Sequence, residues 1–461
     1  MRICIAGSTG FIGRHLIEEL SPLVTIVALT RRPRPAENNP QLIWKTCDLF
    51  SLRDTEMAME GCDAAIYLVH SMLPSARLVQ GRFEDLDLIL ADNFARAARK
   101  VGIKKMLYLG GLMPSGILSR HLDSRLEVES TLQKSCENFY GLRAGLIVGA
   151  GGSSFQLMTN LVWRLPVMIC PRWTLNLTQP IALPDIIQII KHVMTNTDIV
   201  PGVYDVGGPE QLTYLKLMQT TADILHKKRL FIPVRFLSIY FSKLWVILFS
   251  SAPRALVSPL VESLKHQMIA QDLRLQEKLK IPGIPFATAV GIALAEDSRR
   301  KRVKKSDPEK NGVISIQRLS MPQGWSALDV AKEYARWIEG FFKPFIDVIL
   351  SDTGSLTFSL QPLGIRKFRF VLLKLQFSNE RSTPERALFY IEGGILDRES
   401  RRFRGRLEFR AALNEKILLG SIVNYQPRLP WIIYQYTQAW VHVFVMKCFG
   451  QHLKDIIRKN L

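Results

Sequence analysis

The sequence is poor in cysteine, in negative charge and in long apolar runs, and each shortage argues against something. Its six cysteines, Cys4, Cys47, Cys62, Cys136, Cys170 and Cys448, form no C-x-x-C pair, and none lies near histidines at zinc spacing. That pattern reads as scattered thiols in a reducing cytoplasm, with no metal site. A spanning helix needs about 20 mostly apolar residues. The run 236–252 is shorter and carries Lys243 in its middle, and 431–446 is broken by Gln435, Gln438 and His442. Both read as buried or interfacial helices. The opening MRICIA enters a strand and then a glycine turn, so no signal peptide is expected. Internal repeats and low-complexity tracts are absent from the sequence. Acidic residues number 41 against 61 lysines and arginines, a formal charge of +20. Such a balance favours anionic partners such as nucleotide phosphates or acidic headgroups. The densest basic run, from Arg299 to Lys305, reads as a solvated connection, so no nucleic-acid partner is expected.

What is present is a globular chain, 47% hydrophobic and 22% charged, whose 461 residues exceed one ordinary core. Strand and helix alternate through the first 150 residues or so. Strands are expected at 2–6, 25–30, 42–47, 64–69, 105–109 and 140–148, and helices at 11–20, 83–100 and 122–134. This alternation implies an α/β unit, a doubly wound parallel sheet of Rossmann type. The expected division is residues 1–228 for that unit with a small extension, 229–295 for a helical connection, 296–312 for a basic linker and 313–461 for a second domain. In the last, β-type runs at 346–350, 356–360, 368–377, 387–391, 405–413 and 417–425, with period-2 spacing at Phe368, Phe370, Leu372 and at Phe389, Ile391, precede one long helix at 430–458. Strands followed by a closing helix suggest an α+β domain, an antiparallel sheet wrapped on a helix.

The first strand runs into Gly7-Ser8-Thr9-Gly10-Phe11-Ile12-Gly13 and then the first helix. Gly7 permits a tight turn, Gly10 lets the backbone approach a pyrophosphate, and Gly13 lets helix and strand pack closely. The helix start offers free N–H groups and the positive end of its dipole. These seven residues are the expected core of a dinucleotide site. The second strand ends in Thr30-Arg31-Arg32, where NAD sites place an acid. Guanidinium groups grip a 2′-phosphate by forked contacts, so Arg31 and Arg32 imply NADP(H) in preference to NAD(H). Asp48 and Leu49, after the third strand, are placed to meet the adenine. Leu68, Val69 and His70, closing the fourth, are placed on the nicotinamide side. His70 also fits a buried histidine with a satisfied hydrogen bond.

With the glycine turn, the stretches Tyr67-Leu-Val-His-Ser-Met72, Tyr108-Leu-Gly-Gly-Leu112, 118–128, Leu142-Arg-Ala144, Gln179-Pro-Ile181 and Gly207-Gly-Pro209 resemble the extended and atypical branch of the short-chain dehydrogenase/reductases, among them the NmrA-like NAD(P)-binding proteins. The resemblance implies a serine and a Tyr-x-x-Ser-Lys-x-x-x-Glu helix that pass protons while a hydride moves between nicotinamide and carbon. Here the matching stretch is His121-Leu-Asp-Ser124-Arg125-Leu-Glu-Val-Glu129, and glycine (Gly110 or Gly111) stands where the other serine is expected. His121, with an ordinary pKa near 6.5, is the candidate proton donor. Arg125 is the candidate for holding ribose hydroxyls. Two outcomes stay open: reduction of a substrate that needs little acid help, such as a quinone, or cofactor binding without turnover.

Residues 313–461 look like a helix-grip domain of the START/Bet v 1 type, judged by element order. Trp431, Tyr434, Tyr436, Trp440, Phe444 and Met446 are expected either to line an apolar pocket or to serve as core. The reading is thus an NADP(H)-binding oxidoreductase acting on an apolar or quinone-like molecule. The alternatives are a catalytically silent NAD(P)-sensing regulator and an apolar-ligand-binding protein with a structural Rossmann unit. It is expected to be cytoplasmic, as a monomer or homodimer, with peripheral contact at a membrane's inner face through 235–264 as an option.

Overall fold

A computed structural model describes the chain except residues 36, 71–75, 117, 235–260, 300–311, 345, 361–369, 399–403, 460 and 461. The chain divides into two compact units. One holds 1–73 and 87–304, and the other holds 74–86 and 305–461.

The first unit is built on β1 (Arg2–Ala6), β2 (Thr25–Thr30), β3 (Leu42–Thr46) and β4 (Ala64–Tyr67). After β5 (Leu78–Gln80), a member of the second unit, it continues with β6 (Lys105–Gly111), β7 (Asn138–Ala144) and β8 (Gly202–Val206). The seven strands lie in the order β8-β7-β6-β4-β1-β2-β3, and every pair is parallel. They are near-continuous apolar runs because both faces are covered. Ile3, Ile5, Ile26 and Ile66 pack towards α1 (Phe11–Leu20) and α6 (Leu183–Thr195). Their neighbours Cys4, Ala6, Val27, Ala65 and Tyr67 pack on the other face, with residues of α2 (Leu52–Met59), α3 (Phe83–Val101) and α4 (Arg120–Gln133). The Rossmann-type sheet expected from the sequence is present. Strand order reverses between β1 and β4, and in open α/β sheets ligands bind in the crevice at such a switch point.

Further helices among the described residues of this unit include α5 (Ser153–Arg164), α7 (Tyr214–Ile224), α8 (Arg274–Leu279) and α9 (Phe286–Arg299). Two expectations fail here. Leu230–Val234, read as helical, is a strand paired in parallel with Val167–Pro171, and its Pro233 is tolerated on a two-stranded ribbon. The segment read as a linker from 296 is still helix through Arg299. Most of the rest of that linker, 300–311, and the apolar run 236–252 lie outside the described residues.

The second unit is an eight-stranded sheet of β5 with β9 (Val313–Ser320), β10 (Ile346–Leu350), β11 (Leu356–Leu360), β12 (Phe370–Phe377), β13 (Arg386–Ile391), β14 (Arg406–Ala412) and β15 (Ile417–Tyr425). The order is β10-β11-β12-β13-β14-β15-β9-β5, antiparallel except for the parallel pair β9–β5. Leu407 and Phe409 point to one face, where Tyr334 of α10 (Ala327–Phe341) packs on Phe409 at 5.0 Å and on Phe449 at 5.1 Å between ring centres. The start of α10 is fixed by a capping box: Ser326 Oγ accepts from the Asp329 amide at 3.2 Å, and Asp329 accepts from the Ser326 amide at 2.9 Å. Such a cap contributes about 1 kcal/mol.

On the opposite face of β14, the buried Glu408 accepts hydrogen bonds from Arg386 at 2.8 Å, Arg406 at 3.0 Å and Arg410 at 2.7 Å. Burial alone pushes its carboxyl up, but Arg386, Arg410 and Arg406 hold it well below the ordinary value. The expected single closing helix is two: α11 (Trp431–Tyr436) and α12 (Gln438–Lys459), broken at Thr437, whose ψ is −87°. The residues expected either to line a pocket or to serve as core divide between core and surface. Tyr434 and Met446 are core, whereas Tyr436, Trp440 and Phe444 face solvent. Among the described residues, no helix is long and apolar enough to cross a membrane.

Candidate functional site

The glycine turn follows β1 directly at the switch point. Gly7 has a φ of +88°, in the left-handed region, and its carbonyl accepts from the Gly10 amide at 2.9 Å. A Cβ on Gly13 would lie 2.3 Å from the Gly7 carbonyl oxygen and 2.7 Å from the Ser8 Cα. Only glycine lets α1 start this close to the turn. Gly10 is the N-cap of α1, without a side-chain cap and without an acid in the first turn. Uncapped N–H groups and the dipole end are left for an anion, so the turn fits a dinucleotide pyrophosphate.

The other residues singled out for the cofactor divide by what their side chains already do. Ser8 is buried and donates its hydroxyl to the Leu29 carbonyl, so it ties the turn to β2 and only its backbone faces a ligand role. Ile12 points into the core, and Phe11 is partly buried against that core. Thr9 is exposed beside Gly10. Arg31 and Arg32 are exposed just past β2, at the carboxyl edge where a 2′-phosphate would be held. Asp48 accepts from the Phe50 amide at 3.1 Å and shapes the turn after β3. Asn93 of α3 braces that turn by donating to the carbonyls of Leu49 at 2.9 Å and Phe50 at 2.8 Å. Leu68 extends the β1 ladder through its amide, 3.0 Å from the Ala6 carbonyl. Val69 packs against the cluster on the α3 face.

At the carboxyl edge of β4 and β6 the chain gathers four groups from three elements. His70 Nδ1 lies 2.6 Å from Asp87 Oδ2 of α3. The ring of His121, in the first turn of α4, is 5.0 Å from that of His70. Arg125, one turn further along α4, lies 3.5 Å from the Tyr108 hydroxyl, which itself donates to the Arg125 carbonyl at 3.3 Å. Glu129 binds Arg143 of β7 by two bonds of 2.9 and 2.6 Å, and so anchors α4 to the sheet. With Asp87 accepting, the His70 proton sits on Nδ1 and Nε2 is left as an acceptor. Asp87 was not visible as a site residue in the sequence, because it lies in a run of acids (Glu84, Asp85, Asp87) that reads as a solvated helix start.

Burial, with a further push from Arg125, lowers the pKa of His70 although Asp87 opposes it. His121 is driven down to about 2 by burial first, then by His70 and Arg125. The ordinary pKa near 6.5 expected for His121 as candidate proton donor is thus shifted down, and this environment favours the neutral imidazole. The glycines that stand for the usual serine differ in their surroundings. A Cβ on Gly110 would meet the Tyr108 ring at 2.8 Å, whereas one on Gly111 would touch Leu122 at an ordinary 3.6 Å.

Comparison with known proteins agrees with this fold. Residues 3–124 match the NAD dependent epimerase/dehydratase family. Over 111 residues the chain is 32% identical to the auxiliary protein GraX of Staphylococcus aureus, a match covering 24% of this chain and 36% of that protein. Among solved structures, triphenylmethane reductase of Citrobacter sp. complexed with NADP(H) superposes with a TM-score of 0.51 at 17% identity, covering 64% of this chain and 100% of that one. The NADPH-dependent quinone oxidoreductase of Escherichia coli complexed with NADPH gives 0.51 at 18%, covering 63% and 98%. A nucleoside-diphosphate-sugar epimerase of Staphylococcus aureus gives 0.51 at 13%, covering 63% and 100%. At these identities the structural likeness is one of fold. Residues 3–124 thus match the pattern of the NAD dependent epimerase/dehydratase family, and the chain shares the fold of these solved structures.

Proposed function

We propose that this chain is an NADP(H)-dependent reductase of an apolar, quinone-like acceptor. The observation that carries the reading is the buried cluster of His70, Asp87, His121 and Arg125 at the carboxyl edge of the sheet, on the side reached from the glycine turn across the switch point. The turn from Gly7 to Gly13 and the start of α1 hold the pyrophosphate. Arg31 and Arg32 hold the 2′-phosphate, and Arg125 reaches ribose hydroxyls or the acceptor oxygen. When bound, the cofactor would supply a hydride at this edge. Arg125 and the neutral imidazole of His121 stabilise the negative charge left on the acceptor oxygen. His70, its tautomer set by Asp87, exchanges the proton that solvent finally provides. A quinone suits such a site because its reduced oxygen is a stable anion and does not need a strong acid. The two structures of similar fold named as an NADPH-dependent quinone oxidoreductase and a triphenylmethane reductase support the choice of NADP(H) and of a flat apolar acceptor.

The second unit is, in this reading, a helix-grip domain for an apolar ligand. Its antiparallel sheet packed on α10 and α12 supports that assignment. The sensing alternative draws support from Gly110 and Gly111, which offer no hydroxyl to orient a carbonyl. Steady-state oxidation of NADPH with a panel of quinones separates the two. Turnover that falls about a hundredfold or more in His70→Gln and His121→Ala, while NADPH binding persists, supports the reductase. Tight NADPH binding with no turnover on any quinone sinks it in favour of the sensor.

A further inference from the structure

The second unit carries a bare apolar surface on its closing helices. Ile432, Tyr436, Trp440 and Phe444 are 73%, 70%, 67% and 59% exposed, and Ile433 and Val441 lie exposed among them. The surface follows from how the two helices are seated. Ala439, Met446, Phe449 and Leu453 turn the opposite side of α12 into the core, and Tyr434 does the same for α11. Residues 440, 444 and 447 then share the outward stripe at helical spacing. Exposed contiguous patches of large apolar side chains mark interaction sites.

Charge decides what the patch meets. From Lys416 to Lys454 the sequence contains no aspartate or glutamate. Cations close by among the described residues include Arg428, just before α11, Lys447 on the stripe itself and Arg77, stacked 4.2 Å over the Trp431 ring. Tryptophan and tyrosine rings, apolar with one polar tip, favour the headgroup level of a bilayer. A second copy of this chain is a poor occupant, because a two-fold contact would bring cations of this segment towards cations of its copy with no carboxylate in the segment to answer them. We infer that the face formed by Ile432, Ile433, Tyr436, Trp440, Val441 and Phe444 docks on an anionic lipid surface, with Arg77, Arg428 and Lys447 at its rim meeting the headgroups. This site is distinct from the 235–264 stretch considered from the sequence, and it does not depend on the dinucleotide reading. Docking there would bring the second unit to apolar molecules dissolved in the bilayer.

The test is co-sedimentation of the full chain with vesicles of phosphatidylcholine alone and of phosphatidylcholine with phosphatidylglycerol. The wild type binds the anionic vesicles, more weakly at high salt as the rim charges are screened. Trp440→Glu with Phe444→Glu lowers the partition constant by about tenfold or more, since two large apolar side chains no longer leave water. Both positions are exposed, so the far-UV spectrum and melting temperature stay near wild type. Val200→Glu, an exposed apolar position of the first unit, leaves vesicle binding unchanged. Absence of wild-type binding to anionic vesicles overturns the inference, as does equal binding by the double variant. A wild-type dimer by sedimentation equilibrium that the double variant converts to monomer, without vesicle binding, overturns it in favour of self-association.

Discussion

Replacing His121 by glutamine should flatten the acid sensitivity of the first unit. An unfolded histidine titrates near about 6.5. In the fold, burial, His70 and Arg125 push His121 down to about 2, so the folded chain refuses a proton that the unfolded chain accepts. The folded value is depressed, so the stability this group confers is full above the unfolded pKa and is lost as pH falls below it. Each pH unit below that point costs about 1.4 kcal/mol, which amounts to about 2 kcal/mol by pH 5. His70 acts in the same direction, since its folded value is also lowered, with Asp87 opposing. Urea unfolding followed by circular dichroism at pH 7, 6 and 5 measures this as the difference between wild type and His121→Gln. Taking the difference at each pH cancels contributions from other groups, including His442 of the second unit, which burial drives to about 4. The variant should be the less stable protein at pH 7, and the gap should narrow by about 2 kcal/mol on going to pH 5. A gap that stays constant across the three pH values would show that His121 is solvated in the fold and would refute the buried-cluster argument.

Two further outcomes follow from the glycines. Gly13→Ala must force the Gly7 carbonyl away from a contact of 2.3 Å, and should cost about 1–3 kcal/mol or more in urea unfolding and abolish dinucleotide binding. Of the two glycines at the end of β6, Gly111→Ser should leave the melting temperature close to wild type, because its Cβ meets only Leu122 at 3.6 Å, whereas Gly110→Ser should lower it by displacing the Tyr108 ring, 2.8 Å from its Cβ. Equal melting temperatures for the two variants would contradict that placement.

The parallel unit was legible because its signals are local. Glycines at positions 7, 10 and 13 sit between one apolar strand and one amphipathic helix, and strands buried on both faces read as unbroken apolar runs. Its chemistry was less legible because it depends on burial and on distant pairing. Asp87 and Asp85 look alike in the sequence, yet Asp87 holds His70 whereas Asp85 pairs with Arg318 at 2.7 Å across 233 positions. The pKa of His121 depends on a pocket that no spacing reveals. The three residues of β5 are too few for a periodic signal, and their partner β9 lies more than 200 residues away. Leu230–Val234 was misread because a five-residue apolar run fits strand or helix equally well until its partner is known. The break at Thr437 falls in a sequence with no proline or glycine to announce it, so α11 and α12 read as one helix.

The central claim is that the first unit holds a dinucleotide and that Arg31 and Arg32 select its 2′-phosphate. Calorimetric titration with NADPH, NADP, NADH and NAD, on wild type and on Arg31→Ala with Arg32→Ala, tests it directly. The account requires the phosphorylated forms to bind wild type about tenfold or more tightly than their counterparts, the worth of charge-assisted contacts to the phosphate, and requires the double variant to lose that preference while still binding NADH. Binding of none of the four, or tighter binding of NAD than of NADP by the wild type, would contradict it.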